Sequence, residues 1–184
     1  DYLVFTLDAR LHRRLIDRVL ARGQPKLILQ NVTTPPRVWD EHPPFLYVGF
    51  DHVQGSEMLA EFYAKTFAGQ ADYAVICRAP GLVAEQRGSA FLDYLEDFPG
   101  MRQRAFFYAG SERQEGLAAA SHALKQYPDL DFIYTCATDL ALGTLDALAE
   151  HGGEDLPLVN GWGGGAVELA AIRDGRLADR KSVV

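Results

Sequence analysis

The stretch Phe132-Ile133-Tyr134-Thr135-Cys136 decides the fold of this 184-residue chain. Its first three residues are apolar on both faces of a strand, which is typical of a strand covered by helices on either side. The residues that follow, 139–151, carry apolar side chains at helical spacing. A buried strand followed by an amphipathic helix is one β-α unit, and the same unit recurs along the chain.

Short apolar runs alternate with longer amphipathic segments from one end of the sequence to the other, which indicates repeated β-α units and parallel sheets. The pattern predicts strands at residues 2–6, 26–31, 46–50, 73–77, 105–108, 132–136 and 158–160. It predicts helices at residues 9–22, 54–68, 85–96, 113–126, 139–151 and 166–174. The expected fold class is therefore a parallel α/β one.

Composition and charge exclude several classes of protein. With 48% hydrophobic and 23% charged residues, the chain falls in the ordinary globular range. The net charge is −7, and basic residues concentrate on the predicted helix 9–22, so we expect no nucleic-acid partner. No stretch reaches the roughly 18 to 20 apolar residues of a membrane span, and residues 1–5 lack the features of a signal peptide. The chain itself is therefore not expected to span a membrane.

The cysteines and histidines do not form a recognisable metal site. Cys77 and Cys136 are too few for a disulfide framework and lack metal-ligand spacing. Each ends an apolar run, which favours a small buried side chain, while a bridge between them stays open. The five histidines are scattered, without an H-E-x-x-H pattern. We expect no metal and no cofactor.

A Pro-rich loop between residues 31 and 46 interrupts the alternation of strands and helices. Proline fixes φ and lacks an N–H group, so regular structure is not expected there. A long irregular loop in a compact α/β chain is usually functional. We interpret residues 50–53 as a crossing between lobes. The predicted organisation is a partial amino-terminal lobe at 1–50, a carboxyl-terminal lobe at 51–177 and an atypical tail at 178–184.

Polar residues cluster where the predicted strands end, which is where open parallel sheets bind ligands. Amide, carboxylate, guanidinium and hydroxyl groups at these ends match the adjacent hydroxyls of a small polyol. In the glycine-rich run 160–165, we interpret the Trp162 indole as displayed to a ligand, offering a ring face and an N–H donor. The candidates from position alone are Gln30, Asn31, Arg78, Arg87, Thr138, Asp139, Asn160 and Trp162.

Each candidate also has a purely structural interpretation. Asn31 is suited to capping the turn into the Pro-rich loop. Thr138 and Asp139 lie at a helix start, where capping would explain them. Trp162 could be a core residue, although glycine on both sides argues against that. Position alone does not choose between Arg78 and Arg87.

Enzyme motifs are not found. The run 161–165 is a poor dinucleotide fingerprint, because the acidic residue expected about 20 positions later has no strand to follow. The sequence has no phosphate-binding loop of the G-x-x-x-x-G-K-[ST] type. It also lacks a G-x-S-x-G serine elbow. We therefore expect a binding protein and no enzyme.

Several strings carry a resemblance to a known family. They are LVFTLDA (3–9), KLILQN followed by TTP (26–35), PFLYVGFDH (44–52), RG (87–88), DFIY with TDLALG (131–143), and NGWGGG (160–165). On these strings the chain resembles the LuxP-type autoinducer-2 receptors, a family within the sugar-binding type of periplasmic binding proteins. The resemblance runs from residue 1 to about 177.

The resemblance implies two Rossmann-like parallel-sheet lobes joined by a hinge, which close on a furanosyl borate diester. By motif matching it implies that Asn31 binds ligand, that Arg87 faces the anionic borate, and that Thr138 and Asp139 bind hydroxyls. Trp162 would contact the ligand ring. A borate diester is anionic, so a buried site must supply a cation. Boron would enter as part of the ligand and not as a cofactor.

The resemblance also implies a periplasmic location and a partner, a LuxQ-like membrane sensor histidine kinase that relays the quorum-sensing signal. The alternative function is the pentose- or ribose-binding component of an ABC uptake transporter, which would use nearly the same ligand site. A third possibility is the effector domain of a transcriptional repressor, which needs a DNA-binding head upstream. Dependence on borate separates the first two.

The chain departs from the family pattern at both ends. By the resemblance, a signal peptide and the first β-α units of the amino-terminal lobe are expected to be missing, so that lobe is expected to be incomplete. After Leu177 it lacks the returning strand and a second ligand arginine. The expectation is therefore a fragment, whose first sheet leaves edges unpaired and is unstable alone.

Overall fold

The computed structural model of the chain describes residues 1–6, 9–30, 46–78, 81–153 and 155–178. Strands and helices alternate along them. The strands are β1 (Tyr2–Thr6), β2 (Lys26–Gln30), β3 (Leu46–Val48), β4 (Gln70–Arg78), β5 (Gly100–Ala109), β6 (Phe132–Thr135) and β7 (Leu158–Val159). The helices are α1 (Ala9–Arg22), α2 (His52–Thr66), α3 (Leu82–Leu95), α4 (Arg113–Gln126), α5 (Thr138–His151) and α6 (Ala166–Arg173).

The chain divides into two compact units, Asp1–His52 and Val53–Val184, and each has its own sheet. The first sheet has the order β1-β2-β3, and the second has the order β5-β4-β6-β7. The paired strands of both sheets run parallel. The predicted α/β fold with parallel sheets is confirmed. The Pro-rich segment 31–45 and tail residues 179–184 lie outside the described residues.

The sheet of the first unit buries one face. Leu27 and Leu29 of β2 pack with Ile16 of α1, and all three side chains are at most 2% exposed. On the alternate positions of the strands, Val4 and Leu46 are half exposed. Successive strand residues point to opposite faces, so α1 covers one face of the sheet while apolar side chains line the other.

The second unit is organised around β6, which lies between β4 and β7. All four residues of β6 are fully buried. Ile133 packs on one face of the sheet in an aliphatic cluster with Leu140 of α5. Phe132 packs on the other face, where its ring stacks on Tyr63 of α2 with centroids 4.0 Å apart. The expectation of a strand covered by helices on both faces is confirmed here.

Two strands are longer than the sequence pattern predicts. β4 begins at Gln70 and β5 begins at Gly100, several residues before their apolar runs. The ladder pairs residues 70–73 of β4 with residues 100–103 of β5. Its register shifts between Tyr73 and Ala74. β5 is an edge strand, so polar side chains such as Arg102 face solvent while the backbone stays paired. Hydrophobic periodicity does not detect such a segment.

Helices α4 and α5 approach closely, and the contact positions the start of α5. A Cβ atom built on Gly116 would lie 2.8 Å from the backbone of Leu140. A Cβ atom on Gly143 would collide with the carbonyl oxygen of Arg113. The two helices therefore depend on glycine at both positions, because any side chain would push the backbones apart.

Candidate functional site at the carboxyl end of the second sheet

Four of the predicted site residues lie at one end of the four-stranded sheet. Arg87 belongs to α3, Thr138 and Asp139 begin α5, and Trp162 follows β7. Each of these segments follows the carboxyl end of a strand, where ligand sites of parallel sheets occur. The fifth predicted residue, Asn31, lies outside the described residues.

Arg87 is held against the end of the sheet by two contacts. Its guanidinium lies over the Trp162 ring, with Cζ 4.0 Å from the ring centroid. Its Nη1 donates to the carbonyl oxygen of Cys136 at 2.7 Å. The helix begins at Leu82 and not at residue 85 as predicted, so Arg87 lies in the second turn of α3. A guanidinium that stacks on an indole and also donates to a carbonyl oxygen is restricted to one plane.

Tyr134 binds the backbone of Arg87 through its hydroxyl group. Its hydroxyl donates to the carbonyl oxygen of Arg87 at 3.0 Å and lies 3.3 Å from Oγ of Ser56. Burial raises the pKa of the Tyr134 hydroxyl well above its ordinary value. The hydroxyl therefore stays protonated and available as a donor at any physiological pH.

Arg78, the other arginine suggested by position, lies elsewhere. It ends β4 and lines a shallow pocket of about 140 Å³ with Phe106 and Tyr108, on the β5 side of α3. Arg87 is the arginine that contacts Trp162. The geometry therefore separates two residues that the strand pattern left equivalent.

Trp162 is a buried residue of the second unit. The prediction that its indole is displayed at the surface is therefore wrong. Its side chain is 6% exposed. The indole N–H donates to the carbonyl oxygen of Thr135 at 2.7 Å, so this donor is engaged inside the protein. The ring also packs edge-on against Tyr134, with centroids 6.5 Å apart. What Trp162 contributes to the site is therefore a platform for Arg87.

Packing inside the protein explains the glycines on either side of Trp162. A Cβ atom on Gly161 would lie 2.6 Å from Oε1 of Glu168. A Cβ atom on Gly163 would collide with Oγ1 of Thr138 and lie 2.5 Å from Oε2 of Glu168. The glycines make room for neighbouring polar side chains of the protein. They are therefore not a sign that the Trp162 indole is displayed to a ligand.

Glu168 is a residue of this site that the sequence analysis missed. It lies in the first turn of α6, is 1% exposed, and accepts hydrogen bonds from backbone N–H groups of the loop before the helix. The signal in the sequence was a glutamate three residues after the residue preceding the helix, the spacing of a capping box. Glycine at Gly165, in place of serine or threonine, hid that pattern.

Asn160 has a structural role. Its amide group donates to the carbonyl oxygen of Thr135 and accepts from the Thr135 N–H, both at 2.9 Å. The Thr135 hydroxyl donates in turn to the carbonyl oxygen of Asn160 at 2.9 Å. These bonds extend the pairing of β6 and β7 beyond the ladder. Asn160 therefore holds the base of the Trp162 loop.

Thr138 lies beside the Trp162 loop, and Asp139 follows it at the start of α5. Thr138 is partly buried next to Gly163, and Asp139 is exposed in the first turn of α5. The residue that caps the helix is Ala137, and no side chain caps it. The interpretation that Thr138 and Asp139 cap the helix is therefore wrong. A carboxylate in the first turn of a helix interacts favourably with the helix dipole, as Asp139 does in α5.

The two cysteines, whose pairing the sequence left open, form a disulfide. Their Cα atoms are 4.9 Å apart, and both side chains are buried. The bond joins the end of β4 to the residue after β6. Cys136 is also the residue whose carbonyl oxygen accepts from Arg87. The disulfide therefore adjoins the candidate site.

The arrangement offers a cation on an aromatic platform, a hydroxyl and a carboxylate. Such groups bind hydroxyl-rich or anionic small molecules. Within the part of the chain that the structure describes, no group of three or more His, Cys, Asp or Glu side chains could hold a metal ion. The helices described there are also too short or too polar to cross a membrane.

Comparisons with known proteins agree with this fold. A family profile described as a periplasmic binding protein domain matches residues 14–181. The ribose import binding protein RbsB of Bacillus subtilis is 32% identical over 134 residues, which are 71% of this chain and 42% of RbsB. The chain therefore spans less than half the length of that relative.

Solved structures show the same fold at lower identity. One is a periplasmic solute binding protein of an ABC transporter from Actinobacillus succinogenes with bound D-allose, at 21% identity and a TM-score of 0.84. The match covers 96% of this chain and 63% of that one. Another is the sugar-binding protein of a sugar ABC transporter from Bacillus halodurans, at 18% identity and a TM-score of 0.83, covering 95% and 59%.

These relatives support the broader expectation, and the narrower resemblance to autoinducer-2 receptors stays a prediction. The family match extends over most of the chain, and RbsB exceeds 30% identity over more than two thirds of it. The chain belongs to the periplasmic binding protein domain family.

Proposed function

We propose that this protein binds a monosaccharide of the pentose type as the solute-binding component of an ABC uptake transporter, acting in the periplasm. The observation that carries the proposal is the Arg87 guanidinium, stacked on Trp162 at the end of the sheet where Thr138 and Asp139 begin α5. The identity to RbsB, whose name states ribose import, supports the same ligand class. This is the alternative that the sequence analysis placed second.

The chemistry of the site suits adjacent sugar hydroxyls. Asp139 supplies two acceptor oxygens, and Thr138 supplies a hydroxyl that donates and accepts. Arg87 supplies charged N–H donors whose plane is set by Trp162 and by the Cys136 carbonyl. A charged group gives stronger and more directional hydrogen bonds to hydroxyl oxygens than a neutral one does.

A thermal melt tests the proposal. A ligand that binds the native state alone raises the melting temperature by mass action. We expect D-ribose at a large excess over its dissociation constant to raise the melting temperature, and we expect borate to make no difference. The absence of any shift with D-ribose, D-arabinose or D-allose would contradict the proposal.

A second candidate is the autoinducer-2 receptor, coupled to a LuxQ-like sensor kinase. Arg87 favours it, because a furanosyl borate diester is anionic and needs a cation when it leaves water. The resemblance in the NGWGGG string also supports it. The same melt decides: a shift that requires both the autoinducer-2 precursor and borate supports the receptor, and a shift with ribose alone supports transport.

A further inference from the structure

The carboxylate of Glu168 is buried inside the loop that carries Trp162. Its Oε1 accepts from the backbone N–H of Trp162 at 2.9 Å and from that of Gly163 at 3.1 Å. Its Oε2 accepts from the N–H of Gly165 at 3.3 Å. The loop therefore folds around one side chain, which is 1% exposed.

Burial of this carboxylate is compensated locally. A buried charged group is costly unless hydrogen bonds replace its water. Three backbone donors do so, and the position in the first turn of α6 adds the favourable field of the helix amino terminus. The carboxylate and the loop amides therefore depend on each other, since removal of Glu168 leaves the buried N–H of Trp162 and the partly buried N–H groups of Gly163 and Gly165 without this acceptor.

The close contacts make the loop conformation specific. Neither Gly161 nor Gly163 has room for a Cβ atom beside Glu168. On its other side, the loop presents the Trp162 ring to Arg87 at 4.0 Å, with the indole N–H engaged by Thr135. A change at the carboxylate is thus transmitted through one residue to the platform under Arg87.

We propose that Glu168 is the positioning residue of the ligand site. By binding the loop amides, it fixes the Trp162 ring under Arg87 and so sets ligand affinity without touching the ligand. The N–H groups of Trp162, Gly163 and Gly165 point toward Glu168, so these three donors serve the protein's own carboxylate and not a bound anion. The part concerning ligand affinity rests on the proposed sugar-binding function.

The experiment compares Glu168→Gln and Glu168→Ala with the matched control Glu115→Gln. Glu115 has the same place in the first turn of α4, where its Oε2 accepts from the Glu112 N–H at 2.9 Å, but it holds no loop next to Arg87. The spectroscopic readout is Trp162 emission and its quenching by acrylamide. It is measured in a Trp39→Phe background, because the sequence has two tryptophans.

We expect redder emission and stronger quenching of Trp162 in both Glu168 variants without ligand, and no change in Glu115→Gln. In the Trp39-containing protein, we expect the dissociation constant for D-ribose to rise at least about tenfold in Glu168→Ala. The rise should be smaller in Glu168→Gln, because its amide oxygen can still accept from Trp162 and Gly163. Circular dichroism checks that each variant is folded.

Emission and quenching that match the control in folded Glu168→Gln would overturn the proposal. A change in emission with an unchanged dissociation constant would also overturn it. If the unmutated protein binds no D-ribose, the proposed function fails, while the fluorescence comparison still decides whether Glu168 positions Trp162. The two failures are therefore distinguishable.

Discussion

The two ends of the four-stranded sheet both carry arginines and carboxylates but use them differently. At the carboxyl end, Arg87 and Glu168 bond to backbone atoms, with Arg87 partly buried and Glu168 fully buried. At the amino end, the Asp72 carboxylate accepts from Arg102 at 2.6 Å and from Arg104 at 3.1 Å, and the two arginine side chains are 67% and 43% exposed. The same residue types thus form a fixed scaffold at one end and solvated ion pairs at the other.

The difference teaches that charge alone does not mark a ligand site in this sheet. Exposed ion pairs gain little, because water screens them and holding two long side chains costs entropy. Charged hydrogen bonds removed from water are stronger and hold one geometry. A ligand site needs fixed geometry before the ligand arrives, and the carboxyl end provides it.

The largest expected contrast is between Arg87→Ala and Arg104→Ala. Arg104 is a matched control, since its guanidinium also covers an aromatic ring, with Cζ 5.4 Å from the Tyr127 centroid. Loss of charged hydrogen bonds to the ligand should raise the dissociation constant for D-ribose at least about tenfold in Arg87→Ala. Arg104→Ala should leave it unchanged. Isothermal titration calorimetry measures both, and equal effects would break the comparison between the two ends.

A second contrast lies within one loop, between Gly163→Ala and Gly165→Ala. The new methyl group at Gly163 would press on Thr138 and Glu168, which should cost about 1 to 3 kcal/mol of unfolding free energy. Gly165 has φ −69° and no atom within 4 Å of the new Cβ, so its variant should change stability by less than about 0.5 kcal/mol. Urea denaturation measures the difference. Similar values for the two variants would show that the loop is not packed as described.

A third contrast is between two buried tyrosines, Tyr134 near the carboxyl end and Tyr63 near the amino end of β6. Tyr134→Phe removes the buried hydrogen bond from the hydroxyl to the carbonyl oxygen of Arg87 and should destabilise the protein by about 0.5 to 1.5 kcal/mol. The Tyr63 hydroxyl has no hydrogen-bond partner among the described residues, so Tyr63→Phe should be neutral or stabilise the protein by up to about 1 kcal/mol. Thermal denaturation of both variants provides the check. A clear destabilisation by Tyr63→Phe would contradict the assignment.

The smallest effect is expected for Arg102→Ala at the amino end. Its ion pair with Asp72 is 67% exposed on the arginine side, so the loss should be below about 1 kcal/mol. Salt should reduce the loss further, because ions screen exposed charges. Chemical denaturation at low and high ionic strength tests this. A larger loss of unfolding free energy that does not depend on salt would show that the amino end, like the carboxyl end, is a rigid scaffold.

Much of the fold could be predicted from the sequence, because the signals are local. Apolar runs such as residues 132–136 marked the strands, and helical spacing marked segments such as 113–126, which the structure has as α4. The polar starts of β4 and β5 were missed, since β5 is an edge strand and the start of β4 pairs only with β5, so the backbones pair there without burying every side chain. Position relative to strand ends brought Arg87, Thr138, Asp139 and Trp162 to one end of the sheet.

The state of the site residues could not be predicted in the same way. Glycines beside Trp162 suggested display, whereas they make room for Thr138 and Glu168. Strand position offered Arg78 and Arg87 equally, and the contact with Trp162 distinguishes them. The disulfide between Cys77 and Cys136 depended on two strands being neighbours, which periodicity does not specify.

The sequence by itself determined the β-α repeat, the parallel sheets and the end of the sheet that collects polar residues. The tertiary structure alone decided that Trp162 is buried, that Arg87 lies on it and that Glu168 holds its loop. The physical reason is range. The hydrophobic periodicity of helices and strands is set by residues two to four positions apart. A polar group, by contrast, finds its partner among residues that folding brings together, as Arg87 does with Cys136, 49 positions away.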